Sequence, residues 1–338
     1  MVAPTGGEKD RQAPEVLTEK LLRQKGVTSI SYTFNEYVVL NKWEENFYIS
    51  PPIKKRIQKK IKGSTLHLTI EDSLAQNTTY NIALNKCIKD LNEGNILDTL
   101  HFIFSTSDEI DTLTLNGKLQ DSYTLDAIEN TWIMLFEENR NDSIIFKDTP
   151  NYIAKTDKNG NFHFPNLNEK NYTIVALTDF DFIYNEEEKI AFHNTTINAE
   201  KDSFISLLAF DPIVKIDSTI SDTTTIISDS LIADTLVIKE KTYGNLVIIT
   251  AGNNPCIFQI LQNNKVIKEY AFVEQPFNLT DITPGKYQLK YITDSNMDGE
   301  WTTGNWESKT QAEQVINYPS EITIRANWDF ELEWIIGE

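Results

Sequence analysis

The stretch Thr65-Leu66-His67-Leu68-Thr69-Ile70 alternates polar and apolar residues at every step, and this period of two decides the fold class. Ser29-Ile30-Ser31-Tyr32-Thr33-Phe34 and Tyr80-Asn81-Ile82-Ala83-Leu84 alternate in the same way, and Leu100-His101-Phe102-Ile103-Phe104-Ser105 follows. Successive side chains of a β-strand point to opposite faces, so this alternation predicts strands with one buried face. Short strands of this kind, bounded by turn residues, predict a β-sandwich rather than alternating strands and helices.

The strand pattern continues beyond residue 110. Leu113–Leu119, Trp132–Phe136 and Tyr172–Leu177 have the composition of strands. Thr156–Phe162 has the composition of a tight hairpin turn, because Gly160 can adopt a positive φ and an Asp side chain can accept backbone N–H groups. The chain is therefore predicted to hold more than one sandwich.

Two of these sandwiches are predicted to be repeats. The segment Tyr172-Thr-Ile-Val-Ala-Leu-Thr-Asp179 matches Tyr287-Gln-Leu-Lys-Tyr-Ile-Thr-Asp294, with equal spacing from Tyr to Asp. A duplicated module is the simplest explanation.

Two segments lack the alternation. Ala13–Gln24 is a candidate helix, with a loop as the alternative. The basic run Lys54–Lys62 is interpreted as a solvated strand edge, where lysines oppose edge-to-edge pairing.

These patterns predict an all-β chain of tandem β-sandwich modules. At 338 residues, the length is enough for two to three domains of ordinary size. The predicted boundaries are a flexible arm at 1–14, a first sandwich at 15–108, a second at 109–212, an Asp/Ser/Thr-rich linker at 213–240 and a third sandwich at 241–338.

The charge balance limits the classes of partner. Lys and Arg total 31 against 50 for Asp and Glu, which gives a formal net charge of -19. A surface this acidic repels nucleic acid and anionic lipid headgroups. Solvation is the simpler interpretation of the charge, and carboxylates available to hard cations are the alternative.

One segment has the ligand spacing of a calcium loop. Asp294, Asn296 and Asp298 occupy its positions one, three and five, and Gly299 occupies position six. Position twelve is Asn305, a poorer ligand, but Glu307 lies two residues later. We therefore expect a calcium site built from Asp294, Asn296, Asp298 and Glu307, with an Asx-rich turn that holds no metal as the alternative.

Other residues suggest structure rather than catalysis. The sequence contains no nucleophile-elbow, zinc-protease or phosphate-loop motif, so no catalytic residues are assigned and the chain is predicted not to be an enzyme. Cys87 and Cys256 lie in apolar strands and are expected to be small core residues. Four tryptophans near the end can serve either as core residues or as platforms for sugars: Trp301, Trp306, Trp328 and Trp334.

The sequence also resembles a family of Bacteroidota outer-membrane lipoproteins, whose N-terminal domain is a bacterial Ig-like domain of the S-layer-protein type. The segments that carry this resemblance span most of the chain: Pro4–Asp10, Phe34–Val38, Ile49–Pro52, Asn77–Tyr80, Asp90–Asn95, Phe104–Thr106, Thr156–Phe162, Glu188–Phe192, Asp298–Asn305 and Ala326–Trp328.

The resemblance implies an Ig-like domain followed by two small prealbumin-like sandwiches, attached to the outer membrane and facing the cell surface. The lipid-bearing cysteine that such proteins place before Pro4 is missing, so attachment is expected only through an anchor that this chain lacks. A trimmed form that starts at Met1 would explain the difference.

Tripeptides of Asp, then Ser or Thr, then a small or aliphatic residue resemble the O-glycosylation signal of the same bacteria. They predict a glycosylated linker, and they begin at Asp72, Asp98, Asp111, Asp142, Asp217, Asp222, Asp229 and Asp234.

Together these features predict a non-catalytic cell-envelope lipoprotein that acts as a protein-binding or structural module, for example as an accessory subunit of an outer-membrane complex. Its expected partner is a protein in the outer membrane or at the cell surface. The alternative is a carbohydrate-binding surface protein assisted by calcium, with a glycan as partner.

Overall fold

The computed structural model describes residues 9–24, 26–137, 142–178, 182–185, 187–212, 242–250, 254–272 and 277–336. Within these ranges the chain is all-β, and its helical elements are a single turn, α1 (Trp43–Asn46), and a 3₁₀ turn (Asp142–Phe146). None of the described helices could span a bilayer. The predicted linker and the loop residues 179–181 and 186 lie outside the described residues, as do residues 1–8 of the predicted arm.

The first sandwich contains ten strands. They are β1 (Val16–Gln24), β2 (Val27–Phe34), β3 (Val38–Leu40), β4 (Phe47–Ser50), β5 (Gln58–Lys62), β6 (Thr65–Ile70), β7 (Thr79–Leu84), β8 (Ile88–Asp90), β9 (Ile96–Leu97) and β10 (His101–Ser105). One sheet has the order β1-β2-β6-β5 and a second has the order β10-β7-β4, while β3, β8 and β9 form a small third sheet. The residues that alternate in the sequence, such as Tyr32, Leu66 and Leu68, form a continuous core.

The second sandwich contains the next eight strands. They are β11 (Leu113–Asp121), β12 (Trp132–Glu137), β13 (Tyr152–Lys155), β14 (Asn161–Leu167), β15 (Asn171–Leu177), β16 (Ile190–Phe192), β17 (Ile197–Asn198) and β18 (Phe204–Ala209). Its sheets have the orders β14-β11-β18 and β13-β12-β15-β16, and β17 also pairs with β15.

The third sandwich reproduces this topology strand for strand. Its strands are β19 (Gly244–Ile249), β20 (Cys256–Gln262), β21 (Lys265–Phe272), β22 (Phe277–Ile282), β23 (Gly285–Thr293), β24 (Val315–Asn317), β25 (Ile322–Ile324) and β26 (Asp329–Glu333). The sheet orders are β22-β19-β26 and β21-β20-β23-β24, and β25 also pairs with β23. The same order of eight strands in both sandwiches agrees with the repeat predicted from Tyr172–Asp179 and Tyr287–Asp294.

Contacts between Cα atoms divide the chain into two compact units. The first comprises Met1–Leu119, Ala127–Asn185 and Ala191–Leu207, and the second comprises Gln120–Asp126, Glu186–Ile190 and Leu208–Glu338. The first unit therefore holds the first sandwich and most of the second, and the second unit holds the third sandwich with short segments of the second.

Each unit contains fixed contacts between successive sandwiches. In the first unit the buried N–H of Ile153 donates to Ser50 Oγ over 2.9 Å, and Lys155 Nζ donates to the Glu45 carbonyl over 2.7 Å. In the second unit the buried Lys290 Nζ donates to the Tyr123 carbonyl over 2.8 Å. The same ammonium lies 4.0 Å from the centre of the Tyr123 ring, a cation–π contact. The buried Ile153 N–H and the buried Lys290 ammonium are thus both paired, as buried polar groups usually are.

The helix expected at Ala13–Gln24 is not formed, because Val16–Gln24 is strand β1. All eight of its residues after Val16 are exposed, so neither face of the strand selects apolar side chains. The period of two that reveals the other strands is therefore absent. The solvated edge expected within Lys54–Lys62 is confirmed, since β5 is the last strand of its sheet.

Candidate functional site

The predicted calcium loop follows strand β23 and is closed by its own side chains. Asp294 is buried, and its two carboxylate oxygens accept the backbone N–H groups of Asp298 over 3.2 Å and Gly299 over 3.1 Å. Asn296 Nδ2 donates to Asp298 Oδ2 over 2.8 Å. The structure thus brings Asp294, Asn296 and Asp298 together, as the ligand spacing predicts.

The fourth predicted ligand, Glu307, lies exposed in a separate turn, which the bridge between Asn305 and Thr310 closes. The glutamate that contacts the loop is Glu313, just before β24. Its Oε1 accepts the Ser295 N–H over 2.6 Å and its Oε2 accepts the Thr302 N–H over 3.0 Å. The role of Glu313 depends on the pairing of β23 with β24, and no local sequence signal marks it.

The calcium hypothesis stays a prediction. We expect millimolar calcium to raise the melting temperature of the chain, since an ion that binds only the native state stabilises it. Asp298→Ala should remove this increase. Asp298 is the cleaner probe because it is exposed, whereas Asp294 is buried and accepts two backbone N–H groups of the turn. An unchanged melting temperature with and without a chelator would reject the site.

The four C-terminal tryptophans have different environments. Trp306 and Trp334 are buried. Trp301 Nε1 donates to the Glu313 carbonyl over 3.1 Å, and the Trp301 ring packs against Tyr123 with centroids 5.0 Å apart. Trp328 remains 58% exposed and is the member of the group that is open to a ligand.

Trp328 borders a depression of about 410 Å³ on the third sandwich, whose lining also includes Arg325, Glu321 and Phe330. The backbone beside the ring is fixed, because the N–H of Asn245 donates to the Trp328 carbonyl over 3.0 Å. An aromatic face beside a guanidinium and a carboxylate can stack on a sugar ring and bond its hydroxyl groups.

The two cysteines are core residues, as predicted. Cys87 and Cys256 are both buried and both free. Burial raises the pKa of each thiol to about 12, so both remain protonated and unreactive at neutral pH.

A second acidic group, absent from the sequence prediction, lies on the first sandwich. Glu36, Asp90 and Glu93 place one carboxylate oxygen each within 4.8 Å of one another. Burial alone would raise the pKa of Asp90, but the N–H groups of Gly94, Asn95 and Glu93 hold it below its usual value. Burial and then the neighbouring carboxylates raise the pKa of Glu36. The group is thus organised around a turn that Asp90 caps.

The two edges of the main sheet in the first sandwich differ in chemistry. At one edge β5 carries Lys59, Lys60 and Lys62, which discourage a further strand from pairing. At the other edge β1 runs for nine residues and exposes Leu21 at 40% and Leu22 at 56%. Among the described strands β1 pairs with β2 alone, so its outer N–H and C=O groups face no strand.

The chain was compared with known proteins and solved structures. No curated protein matches the chain. The chain is similar at 11% identity to the Bacillus anthracis TIE protein (98% of this chain, 59% of that one, TM-score 0.20). It is also similar at 11% identity to BcpA, the major pilin subunit of Bacillus cereus (58% of this chain, 65% of that one, TM-score 0.21). A third similar structure is the N-terminal part of the bacterial S-layer protein SbsC (14% identity, 58% of this chain, 44% of that one, TM-score 0.18).

The chain therefore spans 59% and 65% of the first two of these proteins. At such identities and TM-scores the structural similarities support no inference about function. Residues 11–106 match the family described as bacterial Ig-like domain. These residues include all ten strands of the first sandwich. The first sandwich, predicted to be Ig-like, is a bacterial Ig-like domain.

Proposed function

We propose that this chain is a non-catalytic structural and protein-binding module of a bacterial cell envelope, and that it binds a protein strand at β1. The observation that carries the proposal is the edge of the Ig-like sandwich at β1, which exposes leucines and whose outer backbone faces none of the described strands. An extended segment can add to such an edge through main-chain hydrogen bonds, while its side chains supply specificity.

The fixed contacts between sandwiches support the structural part of the proposal. Lys290 with Tyr123 in one unit, and Ser50 with Ile153 in the other, bury paired polar groups between modules. Within each unit such contacts hold the bonded segments together, which suits a structural role.

The cellular address is part of the proposal. The resemblance to Bacteroidota lipoproteins supports an outer-membrane location and a lipid anchor. The bacterial Ig-like domain at residues 11–106 is compatible with that location. On this proposal the second and third sandwiches are prealbumin-like spacers, and the partner is an outer-membrane or surface protein.

The test is capture of a partner from outer membranes of a Bacteroidota host, with the full chain as bait. Leu22→Lys places a lysine on β1 of the kind that protects β5, so we expect capture to fall by at least about tenfold. Leu91→Lys is the matched control, because Leu91 is also 56% exposed but lies in the 90–95 turn of the same domain. Equal capture by both variants would contradict binding at β1.

The second candidate function is carbohydrate binding, and the depression beside Trp328 is the observation that favours it. Binding to a glycan array that Trp328→Ala abolishes would support this function. Loss of that binding with a chelator would add a role for the Asp294 loop. A silent array would remove the candidate.

A further inference from the structure

We propose that the strand that β1 accepts is β1 of a second copy of this chain, paired antiparallel about Leu21. This inference rests on the proposed function, because it names the partner of the same open edge. It is carried by the order of side chains along β1 and by their registry with β2.

Registry with β2 fixes the face on which each side chain of β1 lies. Glu19, Leu21 and Arg23 are opposite Tyr32, Ile30 and Thr28, which are all buried. These three residues of β1 therefore lie on the core side of the sheet, although they are exposed at its edge. Lys20 and Leu22 are opposite Ser31 and Ser29 and lie on the outer side.

The charges on the core side define what a partner strand must carry. Opposite charges stabilise a cross-strand pair, and like charges destabilise it. The best partner strand therefore has a cation opposite Glu19, an apolar residue opposite Leu21 and an anion opposite Arg23. A second β1, turned by a two-fold axis perpendicular to the sheet at Leu21, meets all three requirements. Arg23 of each copy then faces Glu19 of the other, and the two Leu21 side chains meet.

Neighbouring registers are less favourable. A two-fold axis at Lys20 would place two ammonium groups together, and an axis at Glu19 would place two carboxylates together. If the second β1 moved by one residue along the first, core-side residues would lie opposite outer-side residues. The pleat of a sheet does not allow this, because residues opposite each other lie on the same face. An axis at Leu22 would set each Arg23 against a Leu21. Among these registers, the one at Leu21 therefore pairs both Glu19 and Arg23 with an opposite charge.

The Arg23 side chain is already held at this edge by contacts within its own chain. Its Nη2 donates to the Ser105 carbonyl over 2.6 Å, and its guanidinium lies 5.0 Å from the centre of the Phe104 ring. A guanidinium has five N–H donors, so several remain for a carboxylate from the second copy. Little side-chain freedom is lost when an arginine fixed in this way accepts an ion pair.

The net charge of -19 opposes association of two copies at long range. At physiological ionic strength, however, charges separated by more than about 8 Å are largely screened. The contacts across the β1 edge are much closer than this distance. We therefore expect a dimer at physiological salt and its weakening at low salt.

The experiment is sedimentation velocity of the purified full chain over a range of concentrations. We expect a reversible monomer–dimer equilibrium. Glu19→Arg, which sets arginine against arginine twice, should weaken the dimer by at least about tenfold. Glu109→Arg is the control, since it changes the net charge equally at an exposed position outside β1. A dimer equally weakened by both variants, or by neither, would overturn the proposed pairing.

A cross-linking measurement tests the register without altering either charge. In an antiparallel pair the facing Cα atoms lie about 4.5–5.5 Å apart, which suits a disulfide. Leu21→Cys should therefore form a covalent dimer on mild oxidation. Leu22→Cys, which would face Lys20, should do so far less. Cys87 and Cys256 are buried and do not compete.

The results also separate the two proposals. A chain that stays monomeric at all concentrations and forms no Leu21→Cys dimer would overturn self-pairing. Capture of an envelope protein that Leu22→Lys abolishes would then still support β1 as the binding edge for a foreign strand. Absence of both would overturn the proposed function as well.

Discussion

Gly160→Ala should destabilise the first unit by about 3 kcal/mol, as two independent penalties combine. Gly160 has φ +77°, a conformation that costs an alanine about 1–2 kcal/mol. An added Cβ would also lie 2.3 Å from the Leu119 carbonyl oxygen. That oxygen belongs to the backbone of β11 and cannot rotate away, so the strands must separate locally. Scanning calorimetry should show the transition of this unit lowered by about 6–12 °C.

Gly94→Ala is the matched control for this prediction. Gly94 has φ +82°, but a Cβ there would have nothing within 4 Å. Only the backbone penalty applies, and we expect a loss of about 1–2 kcal/mol. Equal losses for the two variants would show that the close approach to Leu119 is relieved at little cost and would contradict the prediction.

Glu313→Ala should destabilise the second unit by about 3 kcal/mol. The carboxylate accepts the N–H groups of Ser295 and Thr302, and each hydrogen bond to a charged acceptor contributes about 1.5–3 kcal/mol. Alanine leaves both donors without this acceptor, and the loop keeps only its contacts with the main chain of Glu313, such as the hydrogen bond from Trp301 Nε1. Glu313→Gln keeps one acceptor oxygen, so its loss should be smaller.

The control for Glu313 is Glu307→Ala, which removes an exposed carboxylate from the neighbouring turn. Surface substitutions of this kind stay within about 0.5 kcal/mol. Calorimetry of the second unit compares the two variants directly. A larger loss for Glu307→Ala than for Glu313→Ala would show that Glu307, the ligand predicted from the sequence, closes the loop after all.

Alternation along the chain was enough to predict the strands that have one buried face. Strand β6 spans Thr65–Ile70, the stretch that alternates most regularly, and β2 includes Ser29–Phe34. Their inward side chains pack in the core and are apolar, and their outward side chains face water and are polar. The sequence of such a strand therefore alternates with a period of two. The order of these strands within a sheet cannot be predicted from a local pattern, because it depends on pairing between distant segments.

Strand β1 shows where this reasoning fails. The interpretation of Ala13–Gln24 as a helix is wrong because exposure on both faces removes the alternation that identifies a strand. For the Asp294 loop the sequence indicates one part of the arrangement and not another. Its spacing from Asp294 to Asp298 is local and was predicted, whereas Glu313 reaches the loop through the pairing of β23 with β24. Contacts between residues that are distant in the chain, such as this one, cannot be predicted from a single sequence.

The unequal edges of the Ig-like sheet also limit the size of any assembly built on it. A sheet that could be extended at both β1 and β5 would add copies without end and grow into a fibre. The β5 edge carries Lys59, Lys60 and Lys62, which oppose pairing with a further strand. The sheet can therefore be extended only at β1. If two copies pair through β1, as proposed, the joined sheet would end at β5 on both sides, and association would stop at two copies.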